Sequence, residues 1–218
     1  MNMIQLSLAD AGRLQIQDGS GGLYHGCDQD WFLSVWQRMA GCGPTVATNV
    51  LLYLLRSGLI RLPHAPQGKQ DCLKLMESVW KYVTPTMRGV NRTSILLDGV
   101  VRFAAQHGNA LEGMALNVPE SPAKRPGVDL VVEFISEGLR TDCPVAFLNL
   151  SNGDVEVLDN WHWVTIVALE ADEGNQNVTA HIYDNGNSFP IDLKLWCHTT
   201  KQGGGFVWFR GAQQAQAV

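Results

Sequence analysis

Apolar residues recur at helical spacing up to about Pro144 and in short strand-like runs beyond it, and this single change of period most limits what the chain can build. On the N-terminal side, Val46, Val50 and Leu54 with Ala47, Leu51 and Leu55 trace a largely buried helix. Pro44 suits its first turn and Gly58 its stop. Asp71 is the expected cap of a second helix that carries Leu73, Met76, Val79, Trp80 and Val83 as far as Pro85. A third helix is predicted from Thr93 to Gln106, ahead of Gly108, and a fourth over Asp129 to Leu139. Beyond Pro144, residues 145–150, 162–170, 178–184, 191–195 and 205–210 read as strands separated by Asn, Gly and Asp. The polar connections are short, which favours antiparallel hairpins, and helices followed by strands argue for an α+β class. One domain over residues 1–218 is expected: a mainly helical lobe (1–140) packed on an antiparallel sheet lobe (141–211), with a polar tail (212–218). Residues 117–127, with Pro119, Pro122 and Pro126, are expected to cross the surface of the helical lobe.

Composition removes several partners. Sixteen Lys and Arg against 21 Asp and Glu leave a formal charge of −5, a field that repels polyphosphate, so nucleic acid is not expected. The longest apolar run, Thr45 to Leu55, is interrupted by Thr48 and Asn49 and falls well below the roughly 20 residues of a membrane span. The first residues lack the basic and apolar regions of a secretory signal. Cys27, Cys42, Cys72, Cys143 and Cys197 are odd in number and scattered, which suits free thiols in a reducing, cytoplasmic compartment. Cys197 and His198 are adjacent and no metal-ligand spacing occurs elsewhere, so no metal and no cofactor is expected.

The chemistry concentrates in two places. Cys42 stands at the first turn of the strongest predicted helix, between Gly41 and Gly43. Unpaired N–H groups and the positive end of the helix dipole stabilise a thiolate there, and the Cys42 N–H would face an oxyanion forming on an attacked carbonyl. Gln37, shortly before it, is the candidate second oxyanion donor. His162 opens a predicted strand between Trp161 and Trp163, where an imidazole can reach across a cleft as a general base. If the strands at 162–170 and 178–184 form a hairpin, the end of the second returns beside His162, bringing Asp184 or Asn185 within reach of its other ring nitrogen. Asp184 would hold an imidazolium more strongly and ranks first. Gly41, Gly43, Trp161, Trp163 and Asn185 are expected to line the path of the substrate.

The string Trp36-Gln37-Arg38-Met39-Ala40-Gly41-Cys42-Gly43-Pro44-Thr45 with Ala47 and Asn49, then His162-Trp163-Val164 and Tyr183-Asp184-Asn185, resembles the papain-like cysteine peptidases. Within them it is most similar to the bacterial branch that processes bacteriocin precursors behind double-glycine leaders. The resemblance runs from about Trp31 to Asp184. It implies a papain-like fold, Cys42 as nucleophile, His162 as base, Asp184 as the group that orients it and Gln37 as oxyanion donor, acting on a peptide or protein. Gln37 stands five residues before Cys42 where the family has six, which keeps Gln29 as a reserve donor. The interval from His162 to Asp184 is longer than the family's, with the loop at 170–177 to absorb it. Two functions stay open: a thiol hydrolase for peptide or isopeptide bonds, with amidase and acyltransferase variants of the same apparatus, and an inactive scaffold that holds a peptide or partner protein in the same cleft.

Overall fold

A computed structural model describes residues 3–212, so the expected polar tail lies outside the described residues except for Ala212. In chain order the elements are β1 (Ile4–Ser7), a 3-10 turn (Ala11–Leu14), β2 (Gln15–Gln17), β3 (Leu23–His25), a 3-10 turn (Gln29–Trp31), α1 (Val35–Ala40), α2 (Cys42–Arg56), α3 (Lys69–Trp80) and α4 (Thr93–Gln106). They continue with β4 (Leu111–Val118), α5 (Val128–Arg140), β5 (Val145–Asn149), β6 (His162–Ala171), β7 (Val178–Asp184), β8 (Asn187–Asp192), α6 (Leu193–Thr199) and β9 (Gly204–Gly211).

One antiparallel sheet runs in the order β4-β9-β5-β6-β7-β8. Strand β1 pairs with the far half of β6, Ser7 opposite Ala168, and so continues the line that β5 follows along the near half, Asn149 opposite His162. Strands β2 and β3 form a separate small hairpin. Helix α2 lies against this sheet, every residue from Gly43 to Leu54 buried, the polar Thr45, Thr48 and Asn49 included. Helices α3 and α4 pack on it, and α5 covers the sheet near β1, β5 and β6. The core joins α2, the sheet and the inner faces of these helices in one continuous cluster.

Four expectations change. Strands β1 and β4 come from the expected helical lobe and enter the sheet, so the sheet does not begin at residue 141. Strand β4 carries Gly113 and alternates irregularly between buried and exposed positions, which left it without a period-2 signal; Pro119 ends it, and only the remainder of 117–127 crosses the surface. Of the run 191–195 only Ile191 and Asp192 are strand: Asp192 closes β8 and its carboxylate accepts from Leu195 N at 2.8 Å, starting α6. Helix α3 begins at Lys69 after Gly68, placing Asp71 in its first turn instead of at its cap.

Candidate active site

Helices α1 and α2 are nearly continuous, and the break between them is what exposes Cys42. Ser34 caps α1, its hydroxyl accepting from Gln37 N at 3.1 Å. At Gly41 a Cβ would lie 2.3 Å from the Gln37 carbonyl and 2.8 Å from the Phe32 ring, so only glycine fits the junction. A Cβ at Gly43 would meet Val90 at 2.6 Å. The two glycines therefore serve the close packing of the helix start, and the expectation that they admit substrate backbone gives way to this one. Cys42 is the first residue of α2 and half-buried; Gly41 offers no side-chain cap, so the N–H groups of the first turn have no side-chain acceptor.

His162 comes from the sheet. It is 6% exposed, and its Nε2 lies 2.7 Å from Asp184 Oδ1. The register explains why these two meet. Thr165 opposes Tyr183, so one step further Asp184 opposes Val164, on the same face as His162 two positions along. Nearer the hairpin loop, Ala168 opposes His181, and a ladder continued from there without interruption would set Asp184 against Thr165, on the other face. The irregularity between Ile166 and Ala168 adds the one residue that turns Asp184 toward His162. Asn185 and Gly186 follow with φ of 44° and 75°, the left-handed pair of a tight two-residue hairpin turn.

With Nε2 on Asp184, Cys42 is the other group that acts on the His162 ring. Burial alone would push the His162 pKa down, but the hydrogen bonds to Asp184 and Cys42 and their charges outweigh it, and the value rises to about 10. The imidazolium is the favoured state at neutral pH, sandwiched between a sulfur and a carboxylate. The other cysteines lie in different surroundings. Cys27 is held well above the usual thiol range by its hydrogen bond to Cys72 and by burial, and burial pushes Cys143 and Cys197 up to about 12.

The remaining expected residues divide. Gln37 points away: its Nε2 donates to Glu77 Oε2 at 2.7 Å and its Oε1 accepts from Ser34 at 2.9 Å, so its amide is engaged between α1 and α3 and unavailable to an oxyanion. Gln29 lies nearer, its backbone N 3.5 Å from Asn185 Oδ1. Its Oε1 is buried without a partner and its Nε2 makes no hydrogen bond among the described residues. Trp163, expected on the substrate path, is 1% exposed and donates its indole N–H to the Val90 carbonyl at 2.5 Å, so it braces the site from beneath. Trp161 is 46% exposed with φ of 57°, a left-handed conformation that bulky residues rarely adopt. The loop that carries it is anchored by Asn149 Nδ2 on the Asp159 carbonyl at 2.6 Å. A cavity of ≈ 10 Å³, room for about one water, lies between Cys42, Thr45, Asn49, Asp184 and Asn185. A larger hollow of ≈ 660 Å³, bounded by His64, Asp71, Lys74, Phe103 and His107, has no cysteine in its lining.

Two supporting residues have no expected role in the sequence reading. Val90 packs on Gly43 and receives the Trp163 indole, linking α2 to β6. Asn49, buried on α2, accepts from Cys27 N at 2.7 Å and donates to Thr165 Oγ1 at 3.1 Å. An Asn on an otherwise apolar helix was a readable sign of such a tie.

No protein-family model matches the sequence, and no curated protein matches it. Among solved structures, UfSP from C. elegans is similar over 93% of this chain with a TM-score of 0.52 and 11% identity. The fold is papain-like. This chain spans 35% of the length of that neighbour, about a third. Among the described residues no helix is long and apolar enough to cross a membrane.

Proposed function

We propose that the chain is a papain-like cysteine peptidase in which Cys42, His162 and Asp184 form the catalytic triad. The observation that carries the reading is His162, held by Asp184 at 2.7 Å on one nitrogen and acted on by Cys42 at the head of a buried helix. The fold shared with UfSP supports it. In this reading the Cys42 thiolate attacks an amide carbonyl and a new C–S bond forms. The oxyanion is received by the N–H of Cys42 and the side-chain amide of Gln29, which replaces Gln37 in that role. His162 gives its proton to the leaving amine as the C–N bond breaks, then takes a proton from the water that hydrolyses the thioester. Asp184 keeps the imidazole oriented and charged throughout. Trp161 and Asn185 flank the bound chain, and the substrate is a peptide or protein segment. One domain carries the whole apparatus.

The narrow cavity beside Cys42 favours the second reading, an inactive scaffold that binds a peptide without cleaving it. Reactivity separates the two. Iodoacetamide at pH 6 is expected to alkylate Cys42 faster than Cys27, Cys72, Cys143 or Cys197, and His162→Ala to abolish the preference. A peptide vinyl sulfone library is expected to label the wild type and not Cys42→Ala, and a fluorogenic peptide amide library to show turnover that Cys42→Ala lacks. Slow, uniform alkylation with no turnover rejects the peptidase.

A further inference from the structure

We propose that Lys69 is a positioning residue for Gln29, acting through an aromatic cage; this rests on the reading of Cys42 and His162 as the catalytic pair and Gln29 as oxyanion donor. Lys69 opens α3, on a different element from Cys42, His162 and Asp184. Its ammonium lies 4.9 Å from the ring centroid of Tyr24 and 5.0 Å from that of Trp31, and 3.4 Å from the Tyr24 hydroxyl. The rings meet edge to face, 5.1 Å apart at 88°. One half-buried cation is thus shared by both ends of the segment 24–31, and Gln29 sits two residues before its far end. Lys69 forms no ion pair among the described residues, so the ring faces and one hydroxyl are what hold it.

The near part of that segment is tied elsewhere. Cys27 N donates to Asn49, His25 N to the Gly186 carbonyl at 2.8 Å, and the Tyr24 ring lies where a Cβ at Gly186 would come within 2.6 Å. The far end is different. The buried indole N–H of Trp31 has no partner, so packing and the Lys69 cation fix that ring, and with it the end of the turn that sets the direction of the Gln29 amide. Since that amide bonds to nothing among the described residues, its orientation depends on the turn it stands on. The carboxyl groups of Asp18 and Asp28 feel the Lys69 charge, and Asp28 in turn feels Asp30 and Asp184. Replacing Lys69 by Met keeps the stem and removes the cation.

The test compares Lys69→Met, Lys69→Arg, Gln29→Ala and the Lys69→Met/Gln29→Ala double variant on a fluorogenic peptide amide. It adds two controls: alkylation of Cys42 by iodoacetamide, a displacement that forms no oxyanion, and the side-chain amide resonance of Gln29 in 15N NMR. Lys69→Met is expected to lower kcat by about tenfold, as for coupled neighbours, with KM and the alkylation rate held and the Gln29 resonance shifted. Lys69→Arg is expected to restore kcat, since a guanidinium also stacks on aromatic faces. In the Gln29→Ala background Lys69→Met is expected to add less than about twofold. A tenfold loss that persists there, an alkylation rate that falls in step with kcat, or an unmoved Gln29 resonance overturns the proposal. If the wild type neither turns over amides nor alkylates selectively at Cys42, the peptidase reading fails, and the Gln29 resonance alone then decides whether Lys69 positions it.

Discussion

A single imidazole between Cys42 and Asp184 sets the residue-scale expectations. His162 titrates at about 10 against 6.5 for an ordinary histidine, so the imidazolium persists across neutral pH and is lost as the pH passes about 10. Activity is therefore expected to fall on the alkaline side near that value, as read from kcat/KM against pH. Asp184→Ala removes one of the causes that raise the value, so the His162 titration, followed by NMR, is expected to move down and kcat/KM to drop by about 10²-fold or more. Gly43→Ala would drive a Cβ to 2.6 Å from Val90. An overpacked contact of this kind is expected to cost about 1–3 kcal/mol, measured by urea denaturation.

At the scale of elements, the site is where four pieces of chain are forced together: α2, the head of β6, the end of β7 and the segment from β3 through the turn at Gln29. Asn49 joins three of them, binding Cys27 N and Thr165 Oγ1 from within α2. Asn49→Ala leaves the buried Cys27 N–H without an acceptor. It is expected to destabilise the fold by about 1–3 kcal/mol in urea denaturation and to lower turnover through the displaced Gln29. The irregular residue between Ile166 and Ala168 is equally decisive, because a period of two allows only two outcomes for Asp184, and one of them faces away from His162. The predicted hairpin placed Asp184 near His162 by proximity in the chain; the bulge is what makes the faces agree. Nothing in Val164-Thr165-Ile166-Val167-Ala168 marks where such a residue falls, since all five suit a buried strand.

For the molecule as a whole, protonation links the site to stability. His162 has a folded value raised from 6.5 to about 10, so its charged form stabilises the fold fully below about 6.5, and that contribution is lost as the pH rises through about 10. Cys143 and Cys197, raised by burial from 9.0 to about 12, add losses above 9 because the unfolded chain ionises first. The melting temperature is expected to decline from pH 7 to 10 and more steeply beyond 9, with His162→Gln flattening the part below 9; scanning calorimetry across that range checks it. Four helices and four of the strands could be read from the sequence because their apolar period is set by local burial, as for Val46 to Leu55 and Val145 to Leu148. Strands β1 and β4 could not, since their place is set by pairing with distant partners, β6 and β9, and not by their own pattern. Cys42, His162 and Asp184 stood out because a glycine-flanked helix start, a strand mouth and a hairpin end are local signatures. Gln37 and Gln29 could not be ranked, because an amide is claimed by whichever neighbour is nearest in space: Glu77, from α3, takes one and none takes the other. By itself the sequence determined that a cysteine heads a buried helix and a histidine opens a strand. Only the tertiary structure decided that they meet, with Asp184 on the face of His162 and the Gln29 backbone beside Asn185, because those relations depend on register and packing between segments more than a hundred residues apart.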